Sequence, residues 1–257
     1  MNVQMSLPRT ALSWIFTPLY VVVFFTILCV FHPLQIAASL FGKQAQKWML
    51  DRMNVCIVWN IRLLTGASYR VHGTPSLPAG RSVILISNHQ SMYDIPMIMW
   101  VCRTREIGFI AKKELGRGVP SISYALRTLG SVLIDRADPA GSVTAIRDFG
   151  ARKESQRQVA AIFPEGTRAR DGVMKRFKAT GFRALISSMP SALIQPIAIR
   201  GNWELLRYNF MPVPLGTRIE LEFLEPIEQA GRPADEVLAQ AQDRIRAAVA
   251  GNSEADA

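Results

Sequence analysis

His89 and Asp94 lie five positions apart in Ser87-Asn88-His89-Gln90-Ser91-Met92-Tyr93-Asp94. Those two residue types can do acid–base chemistry together. An imidazole takes a proton near neutral pH, and a carboxylate on its other nitrogen fixes the tautomer and stabilises the imidazolium. The chain has three histidines. His32 ends an apolar segment and reads as an interfacial or packing residue. His72 precedes the turn Gly73-Thr74-Pro75 and reads as a strand end. His89 follows a buried-strand pattern, Val83–Ile86, and precedes a helix-like run, Ile95–Cys102. Strand-to-helix loops of this kind carry functional groups in α/β proteins. Asp94 also fits as a cap on that helix, and spacing alone does not choose between cap and partner.

Nothing in the chain resembles an activated nucleophile. G-x-S-x-G, H-E-x-x-H and G-x-x-x-x-G-K-[ST] do not occur, and no His/Cys/carboxylate cluster has metal-ligand spacing. A His–Asp pair without its own nucleophile implies that the substrate brings one, for instance an alcohol. A second group, Phe163-Pro164-Glu165-Gly166-Thr167-Arg168, follows the strand pattern Val159–Phe163, so both loops can open on one sheet edge. Gly166 lets the backbone approach a ligand, and Thr167 and Arg168 suit a phosphate. Lys175, Arg176, Lys178 and Arg183 follow, with Asp171 the sole acid between Arg168 and Arg183. Most charge runs are solvated faces, but a solvating loop has no need of the Gly and Thr among these charges.

The elements that must position these groups alternate. Strands are expected at Val83–Ile86, Gly108–Ala111, Ser131–Ile134, Val159–Phe163, Leu193–Ile199 and Arg218–Phe223. Helices are expected at Ile95–Cys102, Ser121–Leu129, Ala140–Lys153, Gly181–Ser188 and Ala234–Ala250. Short apolar runs alternating with helical periods predict an α/β fold, a mixed central sheet flanked by helices. Lys43–Leu64 has apolar residues at helical spacing (Trp48, Met49, Met53, Ile57, Ile61, Leu64) and reads as an amphipathic helix.

Ahead of it, Ala11–Gly42 contains no Asp, Glu, Lys or Arg. Ala11–Phe31 is long enough to cross a hydrocarbon core of roughly 30 Å and too long for a secretory h-region. Pro18 and His32-Pro33 would kink or interrupt it, so the segment is expected to be a spanning helix or a re-entrant hairpin, with a buried helix of a soluble protein as the alternative. The organisation expected is a membrane-associated helical segment at 1–42, a catalytic domain at 43–250 and a flexible tail at 251–257. The 30 Lys and Arg exceed the 20 Asp and Glu by +10. The basic residues are scattered, without a zinc-finger spacing or basic heptads, which favours an anionic membrane and substrate over nucleic acid. Cys29, Cys56 and Cys102 are widely spaced and read as small buried hydrophobes.

The motif Asn88-His89-x-x-x-x-Asp94 followed by Phe163–Arg168 resembles the first and third signature blocks of the 1-acyl-sn-glycerol-3-phosphate acyltransferase family. Gly108–Leu115 with Gly130–Arg136 resembles the second block, and Ile194–Ile199 the fourth, in the same order over about 81–200. The resemblance implies that His89 deprotonates an acceptor hydroxyl, that Asp94 orients His89, and that Arg136, Glu165, Gly166, Thr167 and Arg168 bind a lysophospholipid acceptor. It implies an acyl-CoA or acyl-carrier-protein donor, no cofactor, a two-helix N-terminal membrane motif, and a place on the cytoplasmic face of the inner membrane. Phe177-Lys178-Ala179-Thr180-Gly181 departs from the family's Phe-Lys-Lys-Gly, and Gly116-Arg117-Gly118 replaces bulkier apolar residues. Both bear on the acceptor, for which a lyso-ornithine lipid or another lysophospholipid is the alternative to lysophosphatidate. An inert lipid-binding protein of the same fold would be expected to lack His89 or Asp94.

Overall fold

The computed structural model describes residues 7–251; the tail expected at 251–257 lies outside them from residue 252 onward. The charge-free segment forms one helix, α1 (Leu7–Ser39), which runs through both Pro18 and Pro33. Each proline forfeits an intrahelical hydrogen bond, but the helix is held from the side. Ser13, Thr17, Tyr20, Phe24, Leu28, Gln35 and Ala38 recur at spacings of three, four or seven and are buried. Thr17 Oγ1 accepts the Val213 N–H at 2.8 Å, and Ser121 Oγ donates to the Leu28 carbonyl at 2.8 Å. His32 Nδ1 accepts the Ser121 N–H at 3.1 Å, so this histidine packs rather than reacts.

A left-handed turn at Gly42 leads to α2 (Lys43–Thr65), which packs back along α1. The hairpin expected inside 11–42 does not form: α1 is one continuous helix, and the return helix is α2. By length and composition α1 can cross a membrane, and one side of it packs on the rest of the chain. Its outward face remains apolar, with Leu12, Ile15, Leu19, Val22, Phe25 and Val30 exposed. Cys29 is also exposed and Cys56 half-buried, so of the three cysteines only Cys102 is the buried hydrophobe expected. Trp48, expected on the packed face of α2, is exposed, with the Arg52 guanidinium 5.5 Å from its ring centre.

The remaining elements are β1 (Ser68–His72), β2 (Val83–Ser87), α3 (Asp94–Val101), β3 (Ile107–Lys112), α4 (Ile122–Thr128), β4 (Val132–Ile134), α5 (Pro139–Ser155), β5 (Val159–Ile162), α6 (Ala179–Ser188), β6 (Leu193–Arg200), β7 (Arg218–Phe223) and α7 (Ala234–Gly251). The described residues form a seven-stranded sheet of order β1-β7-β6-β2-β5-β3-β4. It is mixed: β6 and β7 are antiparallel, and every other neighbouring pair is parallel. β1 was not among the expected strands, although His72 does end it. Its side chains are largely exposed, so it lacks the apolar run that marked the others.

Alternate residues of β2 point to opposite faces. Val83 and Leu85 join a core built with α1, α2, α3 and α4, while Ile84 and Ile86 join one built with α5, α6 and α7. Helices on both faces explain why β2 and β5 are buried at every position. They also explain why those strands read as continuous apolar runs. Each buried Ile or Leu contributes roughly 1.5–3 kcal/mol, so the central strands are firmly seated. Because β2, β5, β6, β3 and β4 run in one direction, the loops that follow them emerge on one edge of the sheet. His89, Glu165 and Arg136 all lie in such loops.

Candidate active site

β2 is flanked by β5 on one side and β6 on the other, with Ile86 level with Ile162 and Ser87 level with Ile197. The loop leaving β2 is therefore held from both sides. Towards β6, the Asn88 side chain donates to the Ile199 carbonyl and accepts the Ile199 N–H, both at 2.8 Å. Towards β5, the His89 N–H donates to Glu165 Oε1 at 2.9 Å, and the His89 carbonyl accepts the Ala169 N–H at 2.7 Å. The His89 ring stacks on Phe163 with centroids 4.2 Å apart and planes 20° from parallel. Phe163 in turn stacks over Phe109 of β3.

His89 Nδ1 lies 2.7 Å from Asp94 Oδ2. The imidazole is 17% exposed and the carboxylate fully buried. Oδ2 also accepts the backbone N–H groups of Gln90 at 2.7 Å and Ser91 at 2.9 Å. Oδ1 accepts Asn202 Nδ2 at 2.6 Å. Asp94 is the first residue of α3, whose N-cap is Tyr93 with no side-chain cap bond. Its carboxylate looks back into the loop, so the geometry is that of an imidazole partner and not of a helix cap. A buried carboxylate oxygen at that distance accepts from Nδ1. Nδ1 then carries the proton and the Nε2 lone pair is left for another group.

The loop after β5 curls over the pair. Glu165 is buried, and its second oxygen accepts the Lys175 N–H at 3.2 Å. Burial pushes its carboxyl above the ordinary glutamate value, against the pull of the His89 and Lys175 N–H groups. Gly166 turns the chain at φ 71°, which L side chains rarely adopt. Thr167 is exposed, and its hydroxyl accepts Lys175 Nζ at 3.2 Å. Arg168 is half-buried. Burial, and Arg170 beside it, lower its guanidinium below the ordinary value, while Asp94 acts in the opposite sense. Arg168 thus lies close enough to the His–Asp pair to feel its charge.

Arg136 is not brought into contact with these groups. It is exposed, two residues beyond β4, and β4 is two strands from β5 across the sheet. At about 4.8 Å per strand that is roughly 10 Å along the same edge. Among the described residues no group of His, Cys, Asp or Glu is arranged to hold a metal ion. Asn202 was not singled out from the sequence. The signal available was its position two residues past the end of β6, after a glycine, on the edge that carries the other loops.

A family model described as Acyltransferase matches residues 68–200. The chain is similar to a 1-acyl-sn-glycerol-3-phosphate acyltransferase of Limnanthes douglasii, with 31% identity over 163 residues, 61% of this chain and 54% of that one. It spans about half the length of that relative. It is also 28% identical to 1-acyl-sn-glycerol-3-phosphate acyltransferase alpha of Bos taurus, over 80% of this chain and 68% of that one. A lyso-ornithine lipid O-acyltransferase of Rhizobium meliloti is 25% identical over 73% of this chain and 62% of that one. The fold matches the crystal structure of the 1-acyl-sn-glycerophosphate acyltransferase PlsC from Thermotoga maritima. That match has a TM-score of 0.74 and 22% identity, over 94% of this chain and 95% of the other.

Proposed function

The chain belongs to the acyltransferase family, and from that membership we propose that it transfers an acyl chain from an acyl thioester to the free hydroxyl of 1-acyl-sn-glycerol-3-phosphate, forming phosphatidic acid. The donor is acyl-CoA or acyl-carrier protein. The observation that carries this reading is the 2.7 Å contact between His89 Nδ1 and Asp94 Oδ2, made beside Arg168 and without a nucleophile of the protein's own. With Nδ1–H donated to Asp94, Nε2 accepts the acceptor's hydroxyl proton as its oxygen attacks the thioester carbonyl. The C–O bond forms, the C–S bond breaks, and the thiolate leaves with the proton that His89 took up. No electrons are exchanged with a redox partner. Arg168, with Gly166, Thr167 and Arg136 along the same edge, is the clamp for the acceptor's phosphate, and Glu165 keeps the His89 backbone in register.

The protein works from the cytoplasmic face of the inner membrane, a side that the net charge of +10 favours. The apolar outward face of α1 supports the membrane contact, as do Trp48 and Trp59 on α2, each half exposed with an arginine, Arg52 or Arg62, over its ring. Trp and Arg suit the headgroup layer.

Full-length protein in vesicles, assayed against a panel of lysolipids with both donors, tests the reading by thiol release and product mass. Lysophosphatidate is expected to be the preferred acceptor. Arg168→Ala is expected to raise KM for the lysolipid about tenfold or more, the equivalent of losing a bond of roughly 1.5–3 kcal/mol to a charged group. KM for the thioester should scarcely change. The similarity to a lyso-ornithine lipid O-acyltransferase favours one second reading, and preference for that lipid in the same panel would establish it. Turnover of no lysolipid with either donor would sink both.

A further inference from the structure

Asp94 is oriented from outside its own loop. After β6 the chain turns at Gly201, φ 73°, where a Cβ would lie 1.9 Å from the Arg218 carbonyl oxygen. That turn delivers Asn202, at the head of a short 3-10 turn (Asn202–Leu206), to the His89 loop. The Asn202 backbone N–H donates to Gln90 Oε1 at 3.0 Å. Its side-chain Nδ2 donates to Asp94 Oδ1 at 2.6 Å. Asn202 is fully buried, and among the described residues nothing donates to its Oδ1. A buried amide oxygen without a partner costs stability. An apolar side chain of similar size would avoid that cost but could not donate to the carboxylate.

We propose that Asn202 is a positioning residue: its amide N–H fixes the Asp94 carboxylate so that Oδ2 faces His89 Nδ1. This rests on the acyl-transfer reading for its effect on turnover, but its effect on the imidazole can be read without any substrate. Occupying Oδ1 with a donor does two things. It stops the carboxylate from rotating about its Cβ–Cγ bond, and it draws charge away from Oδ2. Without the donor, more negative charge faces Nδ1 and the imidazolium is held more strongly. Charged groups near the ring include Glu165, on the His89 N–H, and Arg168, within range of Asp94; the Lys175 backbone N–H bonds Glu165, and its ammonium bonds Thr167 and the Arg168 carbonyl. None of them changes when Asn202 is replaced.

The experiment uses full-length protein in detergent micelles with labelled histidine. The His89 ring signal is identified by its loss in His89→Gln and titrated by NMR. Asn202→Leu, which keeps the branched shape and the heavy-atom count and removes the donor, is expected to move the His89 titration midpoint upward. It should also lower kcat by roughly ten- to a hundredfold, part of what a positioned base contributes, with lysolipid KM within about twofold. An unmoved midpoint, or wild-type kcat, overturns the proposal, since a residue that only packs would leave the ring's titration alone.

Asn202→Asp keeps the shape and decides the matter if the leucine variant does not fold. Two buried carboxyls this close share a proton, so near neutral pH one still donates to the other. Its kcat should be largely retained there and fall as pH rises and the proton is lost. A profile as flat as wild type on the alkaline side overturns the proposal. Should wild-type protein acylate no lysolipid, the acyl-transfer reading fails alone, and the NMR midpoint still judges Asn202.

Discussion

The hydroxyl of Tyr20, on the apolar helix α1, is hydrogen-bonded to the hydroxyl of Tyr93, the residue immediately before Asp94. Both rings are buried, and Phe24 packs against each, stacked on Tyr20 and edge-on to Tyr93. The helix that carries the apolar outward face is therefore joined directly to the start of α3. Removing one hydroxyl strands the other in the core, at a cost of roughly 1–3 kcal/mol, whereas removing both can be nearly neutral. Tyr93→Phe is expected to lower the melting temperature, and adding Tyr20→Phe to restore much of the loss. A double variant whose loss is the sum of the two singles would show that the hydroxyls do not act as a pair.

His89 and Asp94 are expected to behave as one unit. His89→Ala should abolish acyl transfer while the protein still folds and binds vesicles. Asp94→Asn, which keeps the shape but loses the charge facing Nδ1, should reduce turnover by roughly 10²–10⁴. Because each variant disables the same step, the double variant should be scarcely worse than His89→Ala. Thioester consumption by folded His89→Ala at near the wild-type rate would end the mechanism.

Glu165 ties stability to pH. Its carboxyl is raised above the ordinary glutamate value, chiefly by burial, so the folded chain holds this proton more tightly than the unfolded chain. Its contribution is fully present below the unfolded value, about 4.3. That contribution is lost as pH rises through the raised folded value. Glu165→Gln removes the titration. The melting-temperature difference, variant minus wild type, should become more positive as pH rises across that window and then level off. A difference that shrinks with rising pH would contradict the assignment.

The cysteines test whether the apolar outward face of α1 is embedded in a membrane. Cys102 is buried and its thiol pushed up to about 12 by burial, so it should resist a water-soluble maleimide near pH 8. Cys29 is exposed on the outward face of α1. In vesicles it should be shielded, and after solubilisation in a mild detergent and exchange into polymer it should react faster. Equal labelling of Cys29 in both settings, or clean release of the protein by carbonate washing, would show that this face is not embedded.

The α/β class, the central strands and the His89–Asp94 and Glu165–Arg168 loops were legible because each rests on local chemistry. A strand buried on both faces is apolar throughout, as Val83–Ile86 and Val159–Ile162 are; in Leu193–Ile199 the exception is Gln195, whose buried amide bonds backbone carbonyls. A loop that binds and reacts has to carry its polar groups close together in the chain. β1 escaped because a strand at the sheet edge, with mostly exposed side chains, needs no apolar run; its partner β7 supplies the pairing.

What the residues could not decide were relationships between distant segments. Whether Asp94 capped a helix or faced His89 depended on where the carboxylate turned. The answer involves Asn202, 108 residues away, delivered by the order in which β6 lies beside β2. The path of α1 was equally hidden. Its composition set its length and apolar character, and its prolines suggested a break. Only the body beside it, through Val213, Tyr93 and Ser121, determined that the helix continues and which of its sides is packed. Composition reports what a segment can bury, whereas tertiary packing decides which face is buried and against what, because that free energy belongs to both partners at once.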